Sequence, residues 1–339
     1  ADNVYSREPQ SLRAMNPLPI SLSDVQAAER RLVGHVHHTP LLSCQTLSAL
    51  AGCELRLKGE HLQRSGSFKL RGALNRLLQL TEAEKRHGVV AFSSGNHAQG
   101  VALAARIVGT PAVIVMPEDA PQVKLDATRG YGAEVVLYHR QSEDREAICR
   151  RIADERSAVI VPPFNDPHIM AGQGTVGLEI LRDWPEVEVV VIPIGGGGLI
   201  GGIATAIKSL RPDVRVIGVE PEAADDAYRS RQAGQIVRIA QPRTIADGVA
   251  TQSVGTLTFP VMQALVDDIV TVSESAIAQA LLLIMSRAKQ VVEPTAALAL
   301  AALLSGRLKL PGRNVVGLLC GGNLDLQTLP RLAEIAAIQ

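Results

Sequence analysis

The chain has 339 residues, enough for two domains at roughly 150 residues each, so a small scaffold held together by disulfides or a metal is excluded. Its 34 basic and 34 acidic side chains cancel, which removes the long-range field that gathers nucleic acid or an anionic membrane. With 46% hydrophobic, 20% charged and 3% aromatic residues, Leu, Val, Ile and Ala must fill the interior, and disorder is excluded.

The polar stretch 1–14 lacks the apolar core of a signal peptide and reads as an appended or disordered extension, with Met15 as the native start. From Leu55 onward, short apolar runs alternate with stretches of helical period, the mark of an α/β chain on mostly parallel sheet. The runs predict strands over 55–58, 89–92, 112–116, 134–138, 159–161, 189–194, 214–220, 268–272 and 314–319. That is more than one comfortable open sheet. Helices are predicted over 67–79, 97–108, 123–130, 143–155, 169–183, 200–210, 275–290 and 295–304. The irregular segment 234–258, with its Gly, Pro and polar residues, suits a loop near a cleft. No repeat and no linear domain boundary is visible, so the chain is expected to cross between its domains.

No stretch reaches the ~18 apolar residues needed to span a bilayer, because the greasiest region, 277–304, is broken by Arg287, Lys289 and Glu293. Cys44, Cys53, Cys149 and Cys320 show neither zinc-site spacing nor the density of a secreted framework, which implies a reducing, cytoplasmic setting. His35, His37 and His38 have no carboxylate or thiol to complete a metal set and are expected to be exposed and without a role.

Four segments carry the chemistry. Lys69 sits between Phe68 and Leu70 at the start of a helix, where apolar neighbours and the cation Arg71 would both lower its pKa toward that of a Schiff-base amine. Taken alone, the motif does not overturn the commoner reading of a first-turn surface lysine. Ser93, Ser94, Gly95, Asn96 and His97 follow a strand and open a helix, which either presents hydroxyls and N–H groups to a carboxylate or simply caps the helix. Gly195, Gly196, Gly197 and Gly198 join a strand to a helix, so backbone N–H groups converge on one anion. That loop lacks the Lys and Ser/Thr of a nucleotide P-loop, which points to a lone phosphate. Cys320 ends the last strand, as a core residue or as a thiol facing a ring nitrogen. Gly172, Gly174 and Gly177 fit a dinucleotide fingerprint, but no strand directly precedes them, so close helix packing is expected and NAD is set aside.

In this order the segments resemble the fold type II pyridoxal 5′-phosphate enzymes of the threonine/serine dehydratase and serine racemase family. The resemblance runs from about Ser21 through GSFKLRGA, SSGNHAQG, AGQGT, GGGGL, VEPEAADD, ADGV, EPTA and CGGN. It implies two α/β domains with mostly parallel sheets flanked by helices and the cofactor in the cleft between them. Residues 15–54 and 163–339 would form the large domain and 55–162 the small one. Lys69 would carry the cofactor and then act as general base, Phe68 would lie beside the ring, and Asn96 would meet its phenolate oxygen. Gly195 to Leu199 would hold the phosphate, and Cys320 would face the pyridine nitrogen where many relatives have Ser. A thiol leaves that nitrogen uncharged, which weakens the electron sink and favours elimination.

Ser93, Ser94, Gly95, Asn96 and His97 would hold the substrate carboxylate, and Ser94 matches the serine that returns a proton in the racemases. Glu220, Asp226 and the Ala224 carbonyl resemble the family's divalent cation site, with oxygen donors suited to Mg2+ or Ca2+; an acidic helix start is the other reading. The activity implied is loss of water from a 3-hydroxy amino acid of the L-threonine or L-serine type to give a 2-oxo acid and ammonia, assisted by the cofactor phosphate. Serine racemisation and dehydration of 3-phenylserine or 3-hydroxyaspartate are the alternatives, and a non-catalytic small-molecule binder is the alternative from another class. A homodimer is implied. No C-terminal regulatory domain, and so no isoleucine feedback, is expected.

Overall fold

The computed structural model describes residues 17–93 and 95–338; the stretch 1–14, Met15 and Ser94 lie outside the described residues. The chain opens with α1 (Leu22–Leu32), β1 (Leu41–Ser43), α2 (Gln45–Ala51) and β2 (Glu54–Lys58). It continues through α3 (Lys69–Leu77), α4 (Glu82–His87), β3 (Val89–Phe92), α5 (Asn96–Val108), β4 (Ala112–Pro117), α6 (Gln122–Gly130), β5 (Glu134–Tyr138), α7 (Arg145–Arg156) and β6 (Val159–Ile160). Then come α8 (Pro167–Asp183), β7 (Val189–Pro193), α9 (Gly198–Leu210), β8 (Arg215–Pro221) and α10 (Asp226–Ala233). The chain closes with α11 (Thr258–Leu265), β9 (Asp268–Val272), α12 (Glu274–Leu283), α13 (Leu298–Leu304), β10 (Asn314–Leu318) and α14 (Leu329–Ala336).

The strands form two sheets, ordered β1-β2-β10-β7-β8-β9 and β5-β4-β3-β6. Among the described residues all strand pairings are parallel except that of the edge strand β1 with β2. Parallel strands covered by helices on both faces are apolar throughout, and β7 is buried along its whole length. The small sheet shows the same rule by alternation. Val89, Ala91, Ile114 and Met116 face one core, while Val90, Val113 and Val115 face the other.

One domain boundary is corrected. Leu55 was expected to open the small domain, but β2 pairs with β10 in the six-stranded sheet, Leu55 opposite Val315. An apolar run shows that a strand exists and not which distant strand it joins. The helix expected over 275–290 is present but changes its winding: α12 runs directly into a π turn, Ile284–Ala288, which closes on Lys289 at φ 59°. The expected helix 295–304 begins with a 3-10 turn, Pro294–Ala297.

Three helices, α3, α8 and α9, pack at backbone distance. A Cβ on Gly172 of α8 would lie 2.6 Å from Arg71 O on α3, and one on Gly174 would lie 2.8 Å from Gly202 O on α9. A Cβ on Gly177 would stand 3.1 Å from Ala206. The Gly172, Gly174, Gly177 pattern is therefore helix packing, as expected.

Candidate active site

The expected chemical segments all follow strand carboxyl ends, where open α/β sheets place their ligands. Lys69 follows β2, the 93–97 turn follows β3, the glycine loop follows β7 and Cys320 follows β10. Two of them are stitched together directly. Ser67 forms an isolated antiparallel bridge with Gly321, and Phe68 N–H donates to Cys320 O at 3.2 Å.

Lys69 is the first residue of α3, and its Nζ donates to Pro163 O at 2.8 Å while standing 5.2 Å from the centroid of the Phe68 ring. Burial brings the amine down to about 8, against opposition from Cys320 and Glu293. The expected contribution of Arg71 is corrected. Its guanidinium is fully buried and committed elsewhere, to Glu60 at 2.8 and 2.9 Å and to Glu179 at 2.7 and 2.9 Å. Lys58 Nζ completes this cluster with a 2.7 Å contact to Glu179. Arg71 fastens α3 to β2's trailing turn and to α8; burial alone lowers the Lys69 amine.

The helix α5 starts at Asn96, whose amide is held at both ends. Its Nδ2 donates to Glu293 Oε1 at 2.5 Å, and its Oδ1 accepts from Asn323 Nδ2 at 2.8 Å. Ser93 N–H belongs to the sheet, donating to Val115 O at 3.1 Å, and Ser93 Oγ accepts from Gly95 N–H at 3.1 Å. The His97 ring is buried, and its Nε2 donates to Val161 O at 2.9 Å. Desolvation and the Lys69 charge bring it down to about 3, so the imidazole is neutral.

The glycine loop has a geometry that only glycine satisfies. Gly197 has φ +90°, and a Cβ there would lie 2.6 Å from Met262 Sδ and 2.8 Å from Thr258 Oγ1. Thr258 Oγ1 pins the loop by donating to Gly196 O at 2.6 Å. The N–H groups of Gly195 to Leu199 find no protein acceptor among the described residues, which leaves them and the N-terminus of α9 to an anion. Cys320 is buried, and desolvation with Glu293 nearby pushes its thiol well above the usual range, so it stays protonated.

These groups share one cavity of ≈ 440 Å³, lined by Phe68, Lys69, Ser93, Gly95, Asn96, His97, the four glycines, Leu199 and Cys320. Sequence reasoning missed Glu293, which also lines it. Glu293 is buried, its Oε2 has no partner among the described residues, and burial with Asp247 close by pushes its carboxyl up to about 7. The available signal was a carboxylate in an otherwise apolar stretch immediately before Pro294.

The other acidic candidates lie outside this cavity. Glu220 and Asp226 are fully buried, and the Glu220 carboxylate accepts the Ala227 and Tyr228 N–H groups at 3.0 and 2.8 Å. Burial and the nearby Asp226 push Glu220 up, and burial brings Asp226 up to about 7. Asp226 Oδ2 has no partner among the described residues, Ala224 is buried, and no group of three or more His, Cys, Asp or Glu is present among those residues. His37 and His38 are exposed, and His38 meets Asp183 at 2.8 Å.

A lysine amine of lowered pKa, a cradle of free N–H groups for one phosphate and a neutral thiol in one cleft fit pyridoxal phosphate, and the comparisons agree. The family model for "pyridoxal-phosphate dependent enzyme" matches residues 32–321. The chain is 47% identical to the L-threonine ammonia-lyase of Thermotoga maritima, over 92% of this chain and 78% of that one. It is also 47% identical to the L-threo-3-hydroxyaspartate ammonia-lyase of a Pseudomonas species, over 93% of this chain and 98% of that one. Among solved structures, maize serine racemase superposes with a TM-score of 0.89 at 38% identity, covering 93% of this chain and 97% of the other. The chain belongs to the pyridoxal-phosphate dependent enzyme family. Within that family its enzyme type is a lyase, and its fold is that of the threonine deaminases and serine racemases. No helix among the described residues is long and apolar enough to cross a membrane.

Proposed function

We propose that the protein removes water from a 3-hydroxy amino acid of the L-threonine or L-serine type, giving a 2-oxo acid and ammonia. The observation that carries this reading is the opening of the Lys69 amine, the amide of Asn96 and the unclaimed N–H groups of the glycine loop onto one cavity. Pyridoxal phosphate supplies an aldehyde for amines and a ring that withdraws electrons from the bond to the α-hydrogen. Lys69 would be its attachment point and, once free, the base for the α-proton; burial holds its amine at about 8, so on the order of a tenth to a fifth of it is neutral near physiological pH, far more than of an ordinary lysine.

Gly195, Gly196, Gly197, Gly198 and Leu199 would hold the phosphate, and Phe68 would lie beside the ring. Asn96, its amide fixed between Glu293 and Asn323, keeps one Nδ2 hydrogen for the phenolate oxygen. Cys320, a neutral thiol, would face the ring nitrogen without adding charge, which would favour elimination over reactions that need a stronger electron sink. The turn of Ser93, Ser94, Gly95, Asn96 and His97 holds the substrate carboxylate, and because the His97 ring is spent on Val161, its share is the backbone.

The reading extends to a divalent cation, magnesium or calcium, on Glu220, Asp226 and the Ala224 carbonyl. Its support is the unpartnered, buried Asp226 Oδ2. It also extends to a homodimer, by likeness to the family, and to residence in the cytoplasm, supported by four cysteines that are all unpaired.

The test is borohydride reduction, digestion and mass spectrometry, with oxo-acid release measured across L-threonine, L-serine and 3-hydroxyaspartate. The cofactor mass on the peptide that carries Lys69, with ammonia and oxo acid formed in equal amounts, is the expected result. A label elsewhere refutes the assignment of Lys69, and D-serine appearing before ammonia makes the protein a racemase.

A further inference from the structure

The cations that line the active-site cavity are unequally committed. Lys124 donates to Asp247 Oδ2 at 2.8 Å, and Arg140 grips Asp119 at 2.9 to 3.1 Å. Arg145 likewise lines the cavity and its side chain makes no ion pair or hydrogen bond among the described residues, but its guanidinium lies over the Phe92 ring, 5.2 Å from the centroid. Arg243 lines the same cavity from the loop that follows α10, and its exposed side chain makes no ion pair, hydrogen bond or ring contact among the described residues.

The acids of the cavity leave this charge uncompensated. Asp247 is taken by Lys124, and Glu293 accepts from Asn96. The two anions that the proposed function brings in are both served by backbone N–H groups, the phosphate by those of the glycine loop and the α-carboxylate by those of Asn96 and His97, which open α5 and have no acceptor among the described residues. Neither needs an arginine. A guanidinium at the wall of a substrate cleft without an acid partner is matched by a carboxylate, which it can grip with two parallel N–H donors. A methyl group there would leave the charge as it stands.

Resting on the dehydratase reading above, we propose that Arg243 recognises a carboxylate on the substrate's side chain, so that the preferred substrate is a dicarboxylic 3-hydroxy amino acid, 3-hydroxyaspartate. The chemistry balances without a further reagent. The α-proton and the β-hydroxyl depart as water, and hydrolysis of the resulting enamine consumes one water and releases ammonia and oxaloacetate.

The experiment measures kcat and KM of the cofactor-loaded enzyme for L-threo-3-hydroxyaspartate, L-threonine and L-serine, in wild type, Arg243→Gln and Arg243→Lys. A charge-assisted contact of this kind corresponds to a change of about 10- to 100-fold. Wild type is expected to favour 3-hydroxyaspartate over threonine in kcat/KM by about that factor. Arg243→Gln should cut the ratio by the same amount, chiefly through KM, and Arg243→Lys should restore part of it. The inhibition constant of succinate, which binds without reacting, should rise in parallel in Arg243→Gln. A wild-type preference for threonine, or equal losses on all three substrates in Arg243→Gln, overturns the proposal. Oxo acid from none of them refutes the dehydratase reading instead.

Discussion

Replacing Arg71 with Met tests whether the buried charge cluster is what anchors the helix that begins at Lys69. The guanidinium is fully buried and gives four hydrogen bonds of 2.7 to 2.9 Å to Glu60 and Glu179. The loss is unequal at the two acids. Glu179 keeps Lys58 at 2.7 Å, whereas Glu60 keeps only the Thr39 hydroxyl at 2.5 Å and becomes a buried carboxylate without a cation. Breaking one partner out of a buried pair costs about 3–5 kcal/mol, against a total stability on the order of 5–15 kcal/mol. With ~2.1 cal/mol/K of unfolding entropy per residue, a loss of about 4 kcal/mol lowers the Tm of a 339-residue chain by about 6 °C. The double variant Arg71→Met with Glu60→Gln should recover most of this, because no unpaired charge remains. Differential scanning calorimetry of both variants reads the outcome. A single variant within 1 °C of wild type, or a double variant no better than the single one, refutes the account.

Three further outcomes follow from the same geometry. Gly197→Ala forces a side chain into a left-handed conformation and against Met262 and Thr258, so retention of the cofactor should weaken by about 10-fold or more, measured by equilibrium dialysis. Gly172→Ala should lower Tm by several degrees, because its Cβ would meet the Arg71 carbonyl, which belongs to a helix backbone and not to a flexible side chain. Glu293→Gln should alter how stability depends on pH. A carboxyl raised from 4.5 to about 7 by folding adds stability that is present below pH 4.5 and is lost as pH climbs through 7. The Gln variant lacks that loss, so in cofactor-free protein it should gain on wild type between pH 5 and pH 8, by up to about 3 kcal/mol. A stability difference that stays flat across this range rules the effect out.

The parts of the site that a reader of the sequence can recognise are those where chemistry is compressed into a few consecutive residues. Lys69 beside Phe68, the turn ahead of α5 and the four glycines are of this kind, since a loop cradling an anion or a helix start must be built locally. Most strand positions were legible for a similar reason, because apolar runs bounded by turn residues are short-range features. The pairings were not. That β2 joins the six-stranded sheet depends on β10, about 260 residues further on. Arg71 was misread because both acids that consume its charge, Glu60 and Glu179, come from other turns of the chain. Glu293 escaped notice because its meaning lies in an amide 197 positions away. The strand β1 has only three residues, too few for an alternation to show.

The central seat of β10 between β2 and β7 has a consequence for biosynthesis. Until the ribosome has released the segment 314–321, the two halves of the larger sheet lack their shared neighbour, and the Ser67 bridge that steadies the turn before Lys69 has nothing to grip. Synthesis must therefore have passed residue 321 before the vitamin pocket exists, and a nascent chain stalled earlier is colourless. The yellow of the loaded enzyme thus records that its last strand has been inserted.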